Sequence, residues 1–218
     1  MVDFFNSFPL KKKCIHVVAL NNWEPELCAI TLPNLREYAK RIGADFNLIT
    51  KAKFNGFPPN YERFQIWEAG LNYFWNLNID ADTLIHPEAE DPTERLQTNE
   101  VASLWGIAAD FYFKDNIYFK RDGRNQGISD NFTVSSWVTH DFWKPLDMSY
   151  EEMGKHCLKE KRQVSEFNLS VNLARFGLKH TGALVDHSKH YSLMFTSSKM
   201  TPKEAVEKLS SKLKEWGL

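Results

Sequence analysis

The first half of the chain alternates apolar runs with amphipathic segments. Residues 14–22 (CIHVVALNN) are apolar and β-favouring until they stop at two asparagines, which is typical of a strand buried on both faces. From residue 31, TLPNLREYAKRIGADF repeats apolar positions at helical spacing, and Gly43 is placed to end this helix in a left-handed cap. Residues 44–50 (ADFNLIT) predict a second strand. Strand, helix, strand in succession indicates an α/β sheet with right-handed crossovers.

A second helix and a third strand follow a loop. Residues 51–60 predict the loop, because they contain Gly56 and a Pro-Pro pair. Residues 61–74 (YERFQIWEAGLNYF) predict a strongly amphipathic helix. Its apolar stripe is Phe64, Trp67, Leu71 and Phe74. Residues 75–79 (WNLNI) predict a third strand that ends directly before Asp80.

The second half of the chain gives weaker patterns. Residues 100–113 fit either another strand or a short helix, and the polar, glycine-containing residues 114–131 predict a loop. Residues 131–140 have a β-type composition, and residues 181–194 predict a last strand that runs into a loop. Residues 201–218 predict a C-terminal helix that opens with a capping box. A helix is also predicted over residues 164–179, with Phe167, Val171, Leu173 and Ala174 facing inward.

Composition narrows the function classes. The 218 residues are 43% hydrophobic and carry a formal net charge of -1, so bulk electrostatics gives no reason to expect a nucleic-acid partner. Three sparse cysteines, Cys14, Cys28 and Cys157, predict reduced thiols and a cytoplasmic location. No run approaches the ~20 apolar residues of a transmembrane segment. The N-terminal residues lack the pattern of a signal peptide.

Two acids, Asp80 and Asp82, follow the third predicted strand. Because residues i and i+2 of a strand point the same way, both carboxylates are expected to project from the carboxyl edge of the sheet, where ligands bind in open α/β folds. Two like charges facing one spot repel each other unless a cation joins them. Mn²⁺ or Mg²⁺ takes oxygen ligands of this kind and leaves positions for phosphate oxygens. The pair therefore predicts a divalent metal that bridges the protein to a diphosphate.

The run YERFQIWEAGLNYFWNLNIDADTLIHP, residues 61–87, resembles the central stretch of GT-A-type glycosyltransferases. The first strand and the REYAKRIGADF segment resemble the nucleotide-binding first half of that fold, so the resemblance covers Ile15 to about Pro87 well and the remainder loosely. It implies one α/β domain, residues 1–218, with a mostly parallel central sheet flanked by helices. Within it, residues 14–87 form the nucleotide- and metal-binding half, residues 88–200 the acceptor-side half, and residues 201–218 the C-terminal helix.

The resemblance also implies an activity. Such an enzyme moves a sugar from a nucleotide-diphospho-sugar, of the UDP or GDP type, to the hydroxyl of a glycan or another acceptor. Asp82 would be the main metal ligand, and Asp80 would serve the metal, the ribose hydroxyls or both. Arg63 stands where these enzymes place a cation near the diphosphate. The remaining donor-binding positions that the resemblance assigns are Ala19, Leu20, Asn21, Ala81 and Asn131.

Further roles follow from the chemistry of that transfer. The leaving diphosphate gains negative charge, which a divalent metal and Arg63 would stabilise. An inverting enzyme also needs a carboxylate base for the acceptor hydroxyl. Glu166 matches the family's acid facing the sugar, with Asp130 and Asp110 as alternatives. A late histidine often supplies a third metal ligand in the family, and this chain offers His187 and His190. Three tryptophans could stack on an acceptor sugar, although core packing explains any one of them better: Trp105, Trp137 and Trp143.

Two alternatives remain open at this point. IDADTL also fits the Mg²⁺-dependent phosphatase motif of haloacid-dehalogenase-like enzymes, with Asp80 as nucleophile. That motif normally opens the fold, whereas here it follows two strand–helix units. The second alternative is a nucleotide-sugar-binding domain without catalysis, because glycines usual downstream in the family are missing.

Overall fold

The structure is a computed structural model that describes residues 12–103, 106–108, 126–128, 131–158, 163–182, 187–193 and 200–218. Strands and helices alternate through its first half and mix more irregularly afterwards. The strands are β1 Lys13–Val18, β2 Ala44–Ile49, β3 Trp75–Ile79, β4 Thr83–Ile85, β5 Glu100–Ser103, β6 Gly106–Ala108, β7 Gln126–Ile128, β8 Phe132–Ser136, β9 Lys179–Gly182 and β10 His190–Ser192. The α-helices are α1 Pro25–Arg41, α2 Ile66–Ala69, α3 Tyr150–His156, α4 Val164–Arg175 and α5 Pro202–Glu215.

Six strands form the central sheet, in the order β2-β1-β3-β8-β5-β9. The pairs β1–β2, β1–β3 and β5–β9 are parallel, whereas β8 runs antiparallel to both of its neighbours. Helices flank the sheet, which confirms the predicted α/β class with a mostly parallel sheet. Because β1 and β3 are adjacent and parallel, their carboxyl ends open at the same edge.

The two faces of the sheet differ in chemistry. Residues on one face, such as Ile15, Leu77 and Val134, pack against α1 in an apolar core. The other face is buried but polar, and one row across adjacent strands aligns His16, Asn78, Thr133 and Ser103. These four side chains are at most 1% exposed. Helix α4 and the segment before α2 pack over the polar side, where they form a second core with Val101.

The first strand and first helix depart from the predicted bounds. β1 ends at Val18 rather than Asn22, because Asn21 and Asn22 adopt left-handed backbone angles, φ 51° and 58°, that leave the strand. Asparagine is one of the few residues that tolerates this region. Helix α1 starts six residues before the predicted Thr31, since Pro25 suits a first helical turn. Gly43 follows the helix at φ 65°, as predicted.

The predicted helix over residues 61–74 is wrong in type. The segment consists of a 3-10 helix, Pro59–Gln65, the single turn of α2, and a second 3-10 turn, Gly70–Asn72. A 3-10 helix has 3.0 residues per turn, so an apolar stripe spaced for an α-helix does not stay on one face. Leu71 is accordingly 51% exposed. Gly70 is needed here, because a Cβ at this position would lie 2.6 Å from the Asn76 side chain.

The structure of the second half of the chain decides between the element types that its sequence left open. Residues 100–113 begin as strands β5 and β6, and part of the predicted loop 114–131 is strand β7. The single strand predicted within residues 181–194 corresponds to two separate strands: β9 ends at Gly182 in the central sheet, and β10 pairs with β4 in another sheet. Helix α3, with its Ser149–Glu152 capping box, is an element that the sequence reasoning missed.

The two C-terminal-half helices largely match their predictions. Helix α4 buries Phe167, Val171 and Leu173 as expected, whereas Ala174 is only partly buried. Helix α5 carries the predicted Thr201–Glu204 capping box and packs Leu209 into a third apolar cluster with Leu27 and Leu84. The three cysteines form no disulfide, and all are buried.

Buried His16 makes the stability of the polar face depend on pH. Its Nδ1 lies 3.0 Å from the side-chain amide nitrogen of Asn47, and its Nε2 lies 2.9 Å from the side-chain amide oxygen of Asn76. This arrangement fits a neutral ring protonated on Nε2. Burial lowers the pKa of His16 from 6.5 to about 4, although the Asn76 bond acts in the other direction.

We expect the free energy of unfolding to fall as the pH drops from about 6.5 to about 4. The unfolded chain binds the His16 proton first, so the stability is present above pH 6.5 and is lost through the folded-state pKa of about 4. Urea titrations across this range should show a shallower decline for His16→Gln, by up to about 3 kcal/mol. Equal declines in both proteins would contradict this assignment.

Candidate functional site

A tight turn carries the two acids at the end of β3. The strand stops at Ile79, and the Thr83 N–H donates to the Asp80 carbonyl at 3.2 Å, which closes the turn before β4. Asp80 and Asp82 therefore sit in a turn and not in extended strand, but both line the same pocket. The Asp82 residue is 7% exposed and the Asp80 side chain 29%.

Three backbone contacts hold this turn in place. The Asp80 N–H donates to the Asn131 carbonyl at 2.9 Å, at the start of β8. The Thr31 hydroxyl of α1 donates to the Ala81 carbonyl at 2.6 Å. The Asp82 carbonyl accepts from the Leu193 N–H at 3.3 Å, just beyond β10. Each residue of the motif is thus fixed by a different part of the chain, and Asn131, a predicted donor-binding residue, lies against Asp80 through its backbone.

The end of β1 forms the second wall of the pocket. Leu20, Asn21 and Trp23 line it, and Ala19 lies buried beside them without reaching the lining. Asn21 and Glu24 both have positive φ, 51° and 40°, so this segment has left-handed residues on either side of Trp23, whose own φ is -56°. Non-glycine residues held in this region cost energy and concentrate at ligand sites. The backbone geometry here is therefore typical of a binding loop.

The 3-10 helix Pro59–Gln65 forms the third wall. Arg63 Nη2 lies 3.3 Å from Asp80 Oδ1, and the Arg63 side chain is only 3% exposed. Arg63 Nε also donates to the Asn60 carbonyl at 2.7 Å. Asn60 itself lines the pocket. The structure therefore brings together Arg63, Asp80 and Asp82, as the sequence predicted, and adds Asn60.

The pocket has a volume of about 330 Å³. Its charged lining residues are Asp80, Asp82 and Arg63, so two negative charges and one positive charge leave a formal charge of -1. A diphosphate would be repelled by this balance on its own. A divalent cation bound by carboxylate oxygens would reverse the sign, and such ions commonly use one or two carboxylates together with phosphate oxygens.

Glu166 lies on the first turn of α4 and is not among the residues that line this pocket. It is partly buried, and its Oε2 accepts a hydrogen bond from the Ser165 hydroxyl at 2.9 Å. Ser165 in turn accepts from the Asn60 side-chain amide at 2.9 Å. Two hydrogen bonds thus separate the predicted base from a residue of the pocket wall.

The late histidines lie on the neighbouring ribbon. His190 is opposite Ile85 in the β4–β10 pair, three residues before Leu193, and its ring meets Phe132 edge-on at 5.1 Å. His187 is in the short 3-10 turn His187–Lys189. Within the described ranges, no group of three or more His, Cys, Asp or Glu side chains could hold a metal ion. A histidine as third ligand stays a prediction.

Other predicted residues fall elsewhere. Trp143 is fully buried, and its Nε1 donates to the Ser135 hydroxyl at 2.6 Å, so it belongs to the core. Trp137 follows β8 at the sheet edge opposite the acids, where its N–H donates to the Phe74 carbonyl. The alternative bases Asp110 and Asp130, and Trp105, lie outside the described residues.

Sequence reasoning missed Trp23 and Asn60 in the pocket wall. The signal for Trp23 was its position directly after the predicted first strand, close to Leu20 and Asn21. Asn60 was placed in a loop, and the Pro58-Pro59 pair that starts its 3-10 helix was read only as a break.

Solved structures share this architecture. A glycosyltransferase involved in glycosylation of the major capsid of PBCV-1 matches with a TM-score of 0.55 and 9% identity, over 92% of this chain and 99% of that one. The chain has a GT-A-type fold. A mutant of Drosophila β-1,4-galactosyltransferase 7, in complex with manganese, UDP-Gal and xylobiose, matches at a TM-score of 0.46 and 14% identity, over 84% of this chain and 71% of that one. The galactosyltransferase LgtC, in complex with donor and acceptor sugar analogues, matches at a TM-score of 0.45 and 14% identity, over 78% of this chain and 73% of that one.

No protein-family model and no curated protein matches this sequence. Among the helices of the described residues, none is long and apolar enough to cross a membrane.

We expect Thr31→Val to destabilise the protein by about 1–3 kcal/mol, because the buried Ala81 carbonyl loses its donor. Thr31→Ser is the matched control, since it keeps the hydroxyl and loses only a methyl group, worth about 0.8 kcal/mol. Chemical denaturation of both variants measures the difference. A loss for Thr31→Ser as large as that for Thr31→Val would show that the turn does not depend on this hydrogen bond.

Proposed function

We propose that the protein is a glycosyltransferase that takes a sugar from a nucleotide-diphospho-sugar and passes it to an acceptor hydroxyl. The observation that carries this proposal is the convergence of Asp80, Asp82 and Arg63 on one pocket at the carboxyl ends of β1 and β3. Ligands of open α/β sheets bind at this edge. The GT-A-type fold supports the proposal as an analogy of architecture.

The donor set fits a hard divalent cation, Mn²⁺ or Mg²⁺. Two carboxylates and a formal pocket charge of -1 suit an ion that accepts oxygen ligands and keeps positions for phosphate. We assign Asp82 as the principal ligand, since Asp80 Oδ1 already faces Arg63. When bound, such a cation supplies the positive charge that a diphosphate needs in order to enter.

The end of β1 is the proposed nucleoside site. Trp23 offers an aromatic face beside Leu20 and Asn21, and stacking of a base on an aromatic ring is worth about 1–3 kcal/mol. Stacking tolerates any base, so it leaves the choice between a UDP and a GDP donor to hydrogen bonds from the Asn21 loop. Asp80 is close enough to this wall to serve the ribose as well.

The chain's own groups have distinct roles in the proposed transfer. Arg63 places positive charge near the leaving diphosphate, where negative charge develops as the sugar–oxygen bond breaks. Its pairing with Asp80 keeps the guanidinium oriented before the donor arrives. Glu166 is the proposed base that receives the proton of the acceptor hydroxyl. The acceptor, a glycan or another hydroxyl compound, would approach from the side of α4.

The phosphatase alternative loses its support in the fold. Its motif would stand at the first strand, whereas here Asp80 follows β3, after two strand–helix units of a GT-A-type sheet. A donor-binding domain without catalysis remains the competing reading of the same pocket, and turnover decides between them. A cytoplasmic location and the division into a donor half, an acceptor-side half and a C-terminal helix stay predictions.

A thermal-shift screen of UDP and GDP, each with and without Mn²⁺, tests the proposal. A ligand at about 100 times its Kd should raise the Tm by about 5–10 °C for a chain of this size. We expect one nucleotide to give this shift only with the metal. Asp82→Asn should abolish it, because the amide keeps the shape of the side chain but lacks the charge.

Asp147→Asn, an exposed aspartate outside the pocket, is the control and should retain the full shift. A shift that needs no metal, or that survives in Asp82→Asn, would contradict the proposed site. A normal shift with no transfer or hydrolysis of any UDP- or GDP-hexose would favour the binding domain.

A further inference from the structure

A chain of hydrogen bonds runs from the acids to the proposed base. Arg63 Nη2 lies 3.3 Å from Asp80 Oδ1, and Arg63 Nε donates to the Asn60 carbonyl at 2.7 Å. The Asn60 amide donates to Ser165 Oγ at 2.9 Å, and the Ser165 hydroxyl donates to Glu166 Oε2 at 2.9 Å. Five residues from both halves of the chain are connected without a break.

The direction of the bonds at Ser165 follows from its chemistry. A serine hydroxyl has one hydrogen to donate and two lone pairs that accept. Because the Asn60 N–H occupies a lone pair of Ser165, the hydroxyl hydrogen is left to point at Glu166. The Glu166 carboxylate is therefore held by a donor whose orientation is set from the pocket wall.

The segment that carries Asn60 is rigidly mounted. The carboxylate of neighbouring Glu62, 1% exposed, accepts from the backbone N–H groups of Lys53 and Phe54, both at 2.8 Å. Its carboxylate also accepts from the Gln65 side chain at 2.7 Å. These three hydrogen bonds to the buried Glu62 carboxylate fix the 3-10 helix Pro59–Gln65. The position of Asn60 is therefore fixed as well.

A second hydrogen bond joins the 3-10 helix Pro59–Gln65 to α4 without involving Glu166. The Tyr61 hydroxyl donates to Asn168 Oδ1 at 2.7 Å, and Asn168 also accepts from the Leu146 N–H at 3.0 Å. Ser165 and Asn168 are three residues apart, so they occupy the same face of α4. The two bonds, Asn60–Ser165 and Tyr61–Asn168, form a two-point attachment of α4, but only the first reaches the carboxylate.

We propose that Asn60 and Ser165 are positioning residues that hold the Glu166 carboxylate in register with the Arg63–Asp80 pair. The inference rests on the proposed function and deepens it. In the transfer, the acceptor oxygen forms a bond to the sugar carbon as the bond to the diphosphate breaks, and the diphosphate keeps the electron pair. The acceptor proton passes to Glu166. Asn60 and Ser165 set where that proton goes without touching a reacting atom.

Ser165→Ala and its control Tyr61→Phe test this inference. Each variant loses one bond of the two-point attachment, but only Ser165→Ala removes the hydrogen bond from Ser165 to Glu166. With the nucleotide sugar that binds, and water as acceptor, we expect Ser165→Ala to lower kcat about 10-fold while the donor KM stays unchanged. Tyr61→Phe should keep kcat within about 2-fold, although it loses a comparable hydrogen bond.

Crystal structures of the wild type and Ser165→Ala give a readout without turnover. The Glu166 carboxylate should leave its wild-type position in the variant. The same carboxylate position in both proteins, or equal kcat losses in Ser165→Ala and Tyr61→Phe, would overturn the inference. A wild type that processes no nucleotide sugar overturns the proposed function instead, and the carboxylate position then decides the positioning role alone.

Discussion

The ion pair between Arg63 and Asp80 is the contact on which the candidate site depends. The guanidinium is 3% exposed, and a charge buried to this degree costs several kcal/mol unless an opposite charge accompanies it. Because Arg63 belongs to the 3-10 helix Pro59–Gln65 and Asp80 to the end of β3, the pair sets the spacing between that helix and the sheet edge. The pocket is the space that this spacing leaves, and the segment after β1, with Asn21 and Trp23, closes its remaining side.

The polar face of the sheet explains how the second half joins the first. Side chains such as His16 and Asn78 are buried there, and apolar packing alone would leave them without partners. Helix α4 brings its own buried polar residues to this side, including Asn168, whose side-chain oxygen accepts from the Tyr61 hydroxyl in the first half of the chain. Hydrogen bonds have preferred directions, so they define the rotation of α4 about its axis more tightly than an apolar interface would. The direction of Glu166 follows from that rotation.

The sequence predicted the parts of the fold that depend on local periodicity. The apolar runs of β1, β2 and β3 and the capping box of α5 depend on neighbours along the chain, and all four are present, although β1 ends four residues earlier than predicted. Residues 59–72 do not match their prediction: the apolar spacing indicates an α-helix, whereas the segment is mostly 3-10 helix, with Gly70 packed against the side chain of Asn76. For the site, the acid pair and Arg63 could be found from their order in the sequence. Asn60 and Ser165 could not, because they are 105 residues apart and meet only through the docking of α4.

The most direct test of the central claim is a crystal structure with Mn²⁺ and the preferred nucleoside diphosphate, with anomalous data collected for manganese. The account predicts a manganese peak within about 2–2.5 Å of an Asp82 carboxylate oxygen, with diphosphate oxygens completing its shell beside Arg63. A nucleotide bound with its diphosphate away from the turn Asp80–Asp82, or a pocket with nucleotide and no manganese, would contradict it.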